Sequence, residues 1–322
     1  MRNLVWLICG LMLLTPMQLL NAAARLGPPI EDLQSHPERT RIVIAEAMKK
    51  PESSKIWFSI SEQLSGDSPD KVLLRTDEET FADVEVGRSY VMAWTDMRKN
   101  RRLVAGWEKH PDGPFVVSLM GMGSTALFED SPEIRFLFAP VSQGVEQQID
   151  ALLAQMYRED FRSRSLVISQ LYLRPDLTEK MSPSQVEALK KVLQLQDLDP
   201  QHRDFIIRSA FRLSQDQTAP WLAEELRRII IFSGTQYDLA SFVPSLVRTA
   251  ARGMGQAGQQ TDIDLLSTLL YANNPGVSKA ALDSMDQLDS KAARVKFEQA
   301  MSRDWIHKET RNYLVRYLRQ NP

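Results

Sequence analysis

The hydrophobic period of the sequence changes once, near residues 140–144, and this change limits the folds open to the chain. Before it, from about residue 41, short runs rich in Val, Ile, Phe, Tyr and Trp alternate with turn sequences such as "SGDSPD" and "PDGP". After it, apolar residues recur every three or four positions, as in "VEQQIDALLAQMY". Short runs between turns predict strands, and the longer period predicts amphipathic helices. The sequence therefore predicts an α+β chain of two domains, a small β-barrel or sandwich followed by a helical domain.

Residues 25–142 are predicted to form the all-β domain. Its strands are assigned to "RIVIAEAM", "KIWFSISEQL", "KVLLRT", "SYVMAWTDM", "RLVAGWEKH", "PFVVSLMG" and "EIRFLFAP". About seven strands in about 100 residues suit a small barrel, because closure leaves no unpaired strand edges. The basic run "RKNRR" at residues 98–102 is assigned to the tip of a hairpin between two Trp-bearing strands.

Residues 143–322 are predicted to form helix pairs that share a motif. In the second helix of each pair, a basic residue precedes a small or apolar pair, at steps of roughly 31–44 residues. Proline opens several of these helices, where its missing N–H needs no partner. The first helices are assigned to residues 145–157, 183–195, 220–232, 262–272 and 290–302. The basic residues of the five motifs are Arg164, Arg208, Arg248, Lys279 and Arg311.

These helix pairs resemble HEAT or HEAT-like repeats over about residues 145–320. The resemblance implies an α-solenoid of about five helix pairs, and such a solenoid presents an extended curved surface suited to a peptide or protein. Residues 253–261, "GMGQAGQQT", are interpreted as a flexible link between the third and fourth pairs, because glycine lowers helix stability.

The β half contains a second resemblance. The stretch "FADVEVGRSYVMAW", residues 81–94, is similar to the OB-type barrel of netrin-like and metalloproteinase-inhibitor-like domains. Those domains carry disulfides and an N-terminal cysteine. The only cysteine of this sequence, Cys9, lies in the first 24 residues, which are predicted to be removed as a signal. Inhibition of a metalloprotease through a terminal cysteine is therefore not expected.

The first 24 residues have the pattern of a secretory signal. A short basic start precedes the uncharged run "LVWLICGLMLL", and Ala22 and Ala24 stand where signal peptidase recognises small residues. Cleavage is predicted before Arg25, which places a mature chain without a transmembrane segment in the periplasm or outside the cell. The only cysteine, Cys9, leaves with the signal. The alternative is an uncleaved anchor, although Pro16 interrupts the apolar run well short of the roughly 20 residues of a span.

The polar residues form no recognised catalytic or metal-binding pattern. A net charge of −2 argues against a nucleic-acid partner. The sequence "GMGSTA" at residues 121–126 matches the letters of a dinucleotide loop, but a strand rather than a helix is predicted to follow, so no cofactor is expected. The acidic residues between 77 and 85 lack the spacing of a calcium loop and are interpreted as a solvated strand edge. The histidines have no zinc-site spacing; they are His36, His110, His202 and His307.

The candidate binding surface is the basic hairpin tip with its flanking tryptophans. Basic side chains there would contact lipid headgroups or an acidic partner, and an ordinary solvated turn is the alternative. The tryptophans are binding anchors if they face outward and core residues if they face inward, because a one-residue register slip exchanges the two faces. The surface consists of Trp94, Arg98, Lys99, Arg101, Arg102 and Trp107.

The function expected from these features is binding rather than catalysis. The sequence predicts a protein-binding or scaffold protein of the cell envelope, whose helical repeat contacts a protein or peptide. This expectation rests on the HEAT-like resemblance and on the missing catalytic pattern. The alternative is an enzyme or small-ligand-binding protein with a site in the cleft between the two domains, near Tyr157 and Arg158. A pocket that gathers several polar side chains would favour the alternative.

Overall fold

The computed structural model describes residues 29–52, 54–96, 115–117, 119–120, 124–139, 144–213, 215–234 and 243–320. They form two compact units. The first unit contains the described residues before Gly144 together with Ala154–Gln170, and the second contains Gly144–Leu153 together with the described residues from Leu171 onward. The predicted α+β class, with a sheet ahead of most of the helices, is confirmed. Within the described residues, no helix combines the length and the apolar character that a membrane span requires.

The first unit is built on a six-stranded sheet. Strand β1 pairs antiparallel with β2 along one side and with β4 along the other. Strand β3 pairs antiparallel with β2, and β8 pairs antiparallel with β4. The short β5 pairs parallel with β3 and antiparallel with β4, and β6 and β7 form a separate hairpin. The strands are β1 Thr40–Glu52, β2 Lys55–Ser65, β3 Lys71–Arg75, β4 Ser89–Asp96, β5 Phe115–Val117, β6 Leu119–Met120, β7 Ser124–Thr125 and β8 Leu127–Glu129.

Strands β1 and β4 are buried on both faces, which explains their almost continuously apolar sequences. Alternate residues of a strand point to opposite faces of the sheet. Val43 and Met92 therefore join one hydrophobic cluster, together with Phe58. Ile44 and Val91 join a second cluster on the other face. Side chains from helical segments cover this second face, namely Ile30, Leu33, Ile134, Phe138 and Leu166.

Three short helices belong to the first unit: α1 Ile30–Gln34, α2 Glu78–Asp83 and α3 Pro132–Phe138. The prediction of a strand for "EIRFLFAP" is wrong, because Ser131 caps α3 by accepting a hydrogen bond from the Ile134 N–H at 3.2 Å. The interpretation of the acidic run as a strand edge is also wrong, because Glu78, Glu79 and Asp83 lie in α2. Asp77 caps α2 and accepts from the Thr80 N–H at 2.8 Å. Burial opposes ionisation of Asp77, yet the hydrogen bonds from Thr80 keep its pKa below the usual value.

Helices follow one another from Val145 onward, as predicted. All five predicted second-helix motifs lie in helices, within α5, α8, α10, α12 and α13 in the numbering below. Helix α12 is interrupted at Asp289, whose extended φ and ψ of −165° and 102° divide it into two segments, and the second segment corresponds to the predicted helix 290–302. The helices are α4 Val145–Met156, α5 Phe161–Leu173, α6 Pro175–Glu179, α7 Pro183–Leu193, α8 Pro200–Ala210, α9 Gln215–Gly234, α10 Val243–Ala257, α11 Ile263–Thr268, α12 Pro275–Met301 and α13 Lys308–Gln320.

Three helix starts in the second unit follow a common local rule. Ser182, Asp199 and Asn274 each accept a hydrogen bond from a backbone N–H of the first turn, and proline occupies the next position. Capping satisfies an N–H that has no partner inside the helix, and proline has no N–H to satisfy. Pro220 departs from this rule, because α9 begins at Gln215 and places the proline inside the helix instead of at its start.

The second helices of successive pairs pack against each other in the second unit. Helix α10 contacts both α8 and α12, while α9 packs on α10 and α11 packs on α12. The prediction of a flexible link at residues 253–261 is wrong over most of its length, because α10 continues to Ala257. Gly253 instead permits close packing, since a Cβ there would lie 2.1 Å from Cζ of Phe211. The glycine is required by a helix contact rather than by chain flexibility.

Candidate functional site

The structure places Trp94 in the core. Its side chain is only 2 % exposed and belongs to the hydrophobic cluster that includes Phe58 and Met92. The Arg41 guanidinium lies 5.2 Å from the centroid of the Trp94 ring. Trp94 therefore contributes nothing to an exposed anchor, because the register of β4 directs it inward. The remaining residues of the candidate surface lie outside the described residues; they are Arg98, Lys99, Arg101, Arg102 and Trp107.

A pocket of about 150 Å³ in the first unit is lined mainly by ionisable side chains. The end of α2, the start of β4, strand β8 and the start of α5 contribute to its wall. Four carboxylates and three guanidinium groups line this pocket together with one phenol. The lining residues are Asp83, Glu85, Arg88, Tyr90, Leu127, Phe128, Glu129, Arg158, Asp160, Arg162 and Ser163.

Glu129 bridges two arginines in this pocket. One oxygen, Oε1, lies 2.7 Å from Nη1 of Arg88, and the other, Oε2, lies 3.6 Å from Nη2 of Arg158. Nε of Arg88 also lies 2.7 Å from Oε2 of Glu85. The hydrogen bond to Glu129 raises the pKa of Arg88 above its usual value. Residues distant in sequence are therefore held together by alternating positive and negative charges.

Arg162 supplies the most buried charge of the pocket wall. Its Nη2 donates to Oδ2 of Asp83 at 3.0 Å, and its side chain is 18 % exposed. Its Nη1 is buried and has no hydrogen-bond partner in the described part of the chain. Asp160 orients the start of α5 by accepting from the Ser163 N–H at 2.7 Å. Because buried donors are nearly always paired, the free Nη1 is a feature that a bound ligand would explain.

Tyr90 adds a neutral donor beside these charges. Its phenol oxygen accepts a hydrogen bond from the Glu85 N–H at 2.8 Å. Burial raises the pKa of Tyr90, so the phenol keeps its proton at neutral pH. The adjacent Leu127 and Phe128 are buried and give the pocket an apolar side. Charged groups, a phenol and an apolar wall together suit a small polar ligand.

The sequence placed only Arg158 of these lining residues near an expected site, whereas Asp83 and Glu85 were interpreted as part of a solvated strand edge. Arg158 was expected near a site, and it does line the pocket, while the neighbouring Tyr157 is 45 % exposed. Arg88, Glu129 and Arg162 were missed because strand pairing and the packing of α5 bring them together. Within the described residues, no group of three or more His, Asp and Glu side chains is arranged to hold a metal ion.

The second unit carries a regular contact between its second helices. Arg208 of α8 places Nη2 3.5 Å from Oγ of Ser245 in α10. Arg248 of α10 lies against Gly276 of α12, where a Cβ would be 3.7 Å from Nη1 of Arg248. Ser245 precedes Arg248 by three residues, and Gly276 precedes Lys279 by three. The predicted basic positions of three successive second helices are therefore stacked with the same offset.

No protein-family model matches the sequence, and no curated protein matches it.

Proposed function

We propose that this chain is a non-catalytic protein-binding or scaffold protein, and that its second unit is a HEAT-like helical repeat that forms the binding surface. The observation that carries the proposal is the equal offset of Arg208 on Ser245 and of Arg248 on Gly276. Repeats whose neighbours pack in the same way build a continuous surface along the stack. Such a surface suits an extended partner better than a compact substrate.

The proposal for the first unit is an OB-type, partly open barrel. Its support is the strand order β1-β2-β3-β5-β4 together with the additional β1–β4 pairing. The short β5, which pairs with both β3 and β4, would complete the circuit. A five-stranded, partly open Greek-key barrel is the architecture of that class.

The proposed location is the cell envelope, and it rests on the signal pattern of the first 24 residues. We expect the exported chain to begin at Arg25 and to remain in the periplasmic extract. The intact mass of the purified protein measures the start of the chain directly. A mass that retains the first 24 residues would contradict this part of the proposal.

Site-specific photo-crosslinking in living cells tests the binding function. A photoreactive residue at Gln256, exposed on the second helix α10, should give discrete adducts with one or a few proteins. The same photoreactive amino acid introduced at Gln299, which is exposed on the second segment of α12, is the matched control. Equal adduct patterns at both positions, or none at either, would contradict a binding surface formed by the second helices.

A second candidate function is binding of a small polar ligand by the pocket of the first unit. The free Nη1 of Arg162 beside the neutral phenol of Tyr90 favours it. Native mass spectrometry of protein purified from its own cells should then show a bound mass that the Arg162→Met variant lacks. Arg135→Met is the control, because Arg135 pairs with Asp130 outside the pocket. An identical spectrum for all three proteins would contradict this candidate.

A further inference from the structure

The basic residues of the second helices form one row across the second unit. Arg208, Arg248 and Lys279 occupy successive helices, and Arg252 lies one turn beyond Arg248 on α10. The stacking contacts with Ser245 and Gly276 place these side chains in line. Lys279 is half exposed, at 51 %, and Arg208 is one-third exposed. At the centre of the row Arg248 is half-buried and Arg252 is exposed, so a partner can reach the row there as well.

The charge of the row is concentrated at its centre. At one end Arg208 pairs with Asp204 at 2.8 Å, and at the other Lys279 pairs with Asp283 at 2.7 Å. Arg248 and Arg252 have no ion-pair or hydrogen-bond partner among the residues that the structure describes. Residues four apart share one face of a helix, so α10 presents two uncompensated positive charges side by side.

The spacing of the row selects the conformation of an acidic partner. Packed helices lie about 8–10 Å apart. A polyproline II chain rises about 3.1 Å per residue with three residues per turn, so every third side chain lies on one face at about 9 Å intervals. In a β-strand, by contrast, residues three apart point to opposite sides. Of these two extended conformations, the first places successive carboxylates opposite successive second helices.

We propose that this row binds an acidic segment of a partner protein in polyproline II conformation, with a carboxylate at every third position. The inference rests on the proposed protein-binding function and adds the chemistry of the partner. Asp204 and Asp283 already compensate the charges of Arg208 and Lys279, so a continuous polyanion would meet uncompensated positive charge only on α10. A peptide with spaced carboxylates suits this arrangement, because one carboxylate meets Arg248 and Arg252 together on α10 while neutral residues pass between the second helices. A nucleic acid is therefore the less favoured partner.

Fluorescence anisotropy with the full chain tests the spacing. The probe is a labelled peptide of four Glu-Pro-Pro repeats, and its control has the same composition with all four glutamates at one end. We expect the repeat peptide to bind more tightly than the control peptide, and we expect its affinity to fall as salt is added. Equal binding of the two peptides, or no binding of either, would overturn the proposal. Tighter binding of a single-stranded oligonucleotide of equal charge would overturn it as well.

A charge-matched pair of double variants tests the residues. Arg248→Gln with Arg252→Gln should weaken binding of the repeat peptide about fivefold, since each exposed ion pair contributes only a few tenths of a kcal/mol to about one. Lys291→Gln with Lys308→Gln removes the same charge from exposed positions away from the row and should leave binding unchanged. Circular dichroism should show the same fold for both proteins. Equal peptide affinity of the two double variants would overturn the assignment.

The crosslinking experiment separates this inference from the function on which it rests. If adducts at Gln256 form in the wild type and persist unchanged in the Arg248→Gln, Arg252→Gln variant, the second unit binds a protein but the row does not recognise it. That result overturns the inference alone. If the wild type forms no adduct, the proposed function itself fails. Loss of the adducts in the variant, together with weaker peptide binding, supports both.

Discussion

Arg203 donates a hydrogen bond from Nη2 to the carbonyl oxygen of Leu195, eight residues earlier, at 3.2 Å. Arg203 is the fourth residue of α8, and Leu195 lies just past the end of α7. Carbonyl groups at a helix end lack partners within the helix and carry partial negative charge, so a guanidinium there stabilises the connection. The same fourth-position contact to residue i−8 recurs in Arg164 to Met156, Ser278 to Leu270 and Arg311 to Arg303.

The first prediction concerns Arg203. Its guanidinium also lies 3.0 Å from Oε1 of Glu225, a buried carboxylate whose other oxygen pairs with Arg228, so Arg203→Met removes a donor both from backbone carbonyls and from Glu225. Hydrogen bonds of charged groups contribute about 1.5–3 kcal/mol, and we expect a loss of that size in the free energy of unfolding, measured in urea. Arg252→Met, at an exposed position, should change it by about 0.5 kcal/mol or less. A loss in the Arg203 variant no greater than in this control would contradict a capping role.

The second prediction separates two glycines of α10. Gly253→Ala should destabilise the chain by about 1–3 kcal/mol, because its Cβ would overlap the Phe211 ring and would lie 2.9 Å from Cδ1 of the fully buried Leu226. At Gly255 the nearest atom, 2.2 Å away, is the end of the flexible Gln287 side chain. Gly255→Ala should therefore cost less, since alanine favours helix by about 1 kcal/mol. Thermal unfolding of both variants measures the difference, and equal losses would count against close packing at Gly253.

The third prediction concerns Leu282 and Met285, two buried apolar residues of α12. Leu282 is 6 % exposed and Met285 is fully buried, so Leu282→Ala should cost about 2–5 kcal/mol. Lys279→Ala, one turn earlier, loses only an exposed pair with Asp283 and should cost about 0.5 kcal/mol or less. Hydrogen exchange should show lost protection in α11 to α13, while the sheet of the first unit keeps its protection. Uniform loss through the described chain would indicate one cooperative core and contradict a repeat.

The fourth prediction is a dependence of stability on pH. Arg227 donates to Asp262 at 2.6 and 2.9 Å, and this hydrogen bonding lowers the pKa of Asp262 in the folded state. The stabilisation is complete above the unfolded pKa, about 4, and is lost as pH falls through the lower folded value. The Asp262→Asn variant should therefore have a lower free energy of unfolding than the wild type at pH 7, and this free energy should decrease less steeply as the pH falls. Asp304→Asn, at an exposed position, should follow the wild-type profile, and identical profiles for all three would contradict the prediction.

The sequence by itself determined the order of secondary structure over most of the chain. Local patterns are sufficient where a short run rich in Val and Ile stands between turn sequences, as in the run that forms β1 and buries Ile44 on one face of the sheet and Val43 on the other. They failed at "EIRFLFAP", because an apolar run of this length suits a strand as well as a helix. The cap from Ser131, rather than the run itself, decides for the helix. The flexible link predicted from the glycines of α10 is wrong for a different reason. Only the neighbouring Phe211 ring explains why position 253 requires a glycine.

Tertiary structure alone decided which residues meet. The predicted basic motif combined two positions. Arg164 and Arg311 are fourth in their helices and donate to carbonyl groups at the end of the preceding helix. Arg208, Arg248 and Lys279 instead form the row across the second helices. The sequence pattern is the same for both positions, because a helix repeats its faces every three or four residues. The pocket shows the same limit, since Glu129 meets Arg88 and Arg158 only after β8 pairs with β4. Spacing along a chain specifies one helix or strand, and contacts between elements depend on how those elements pack.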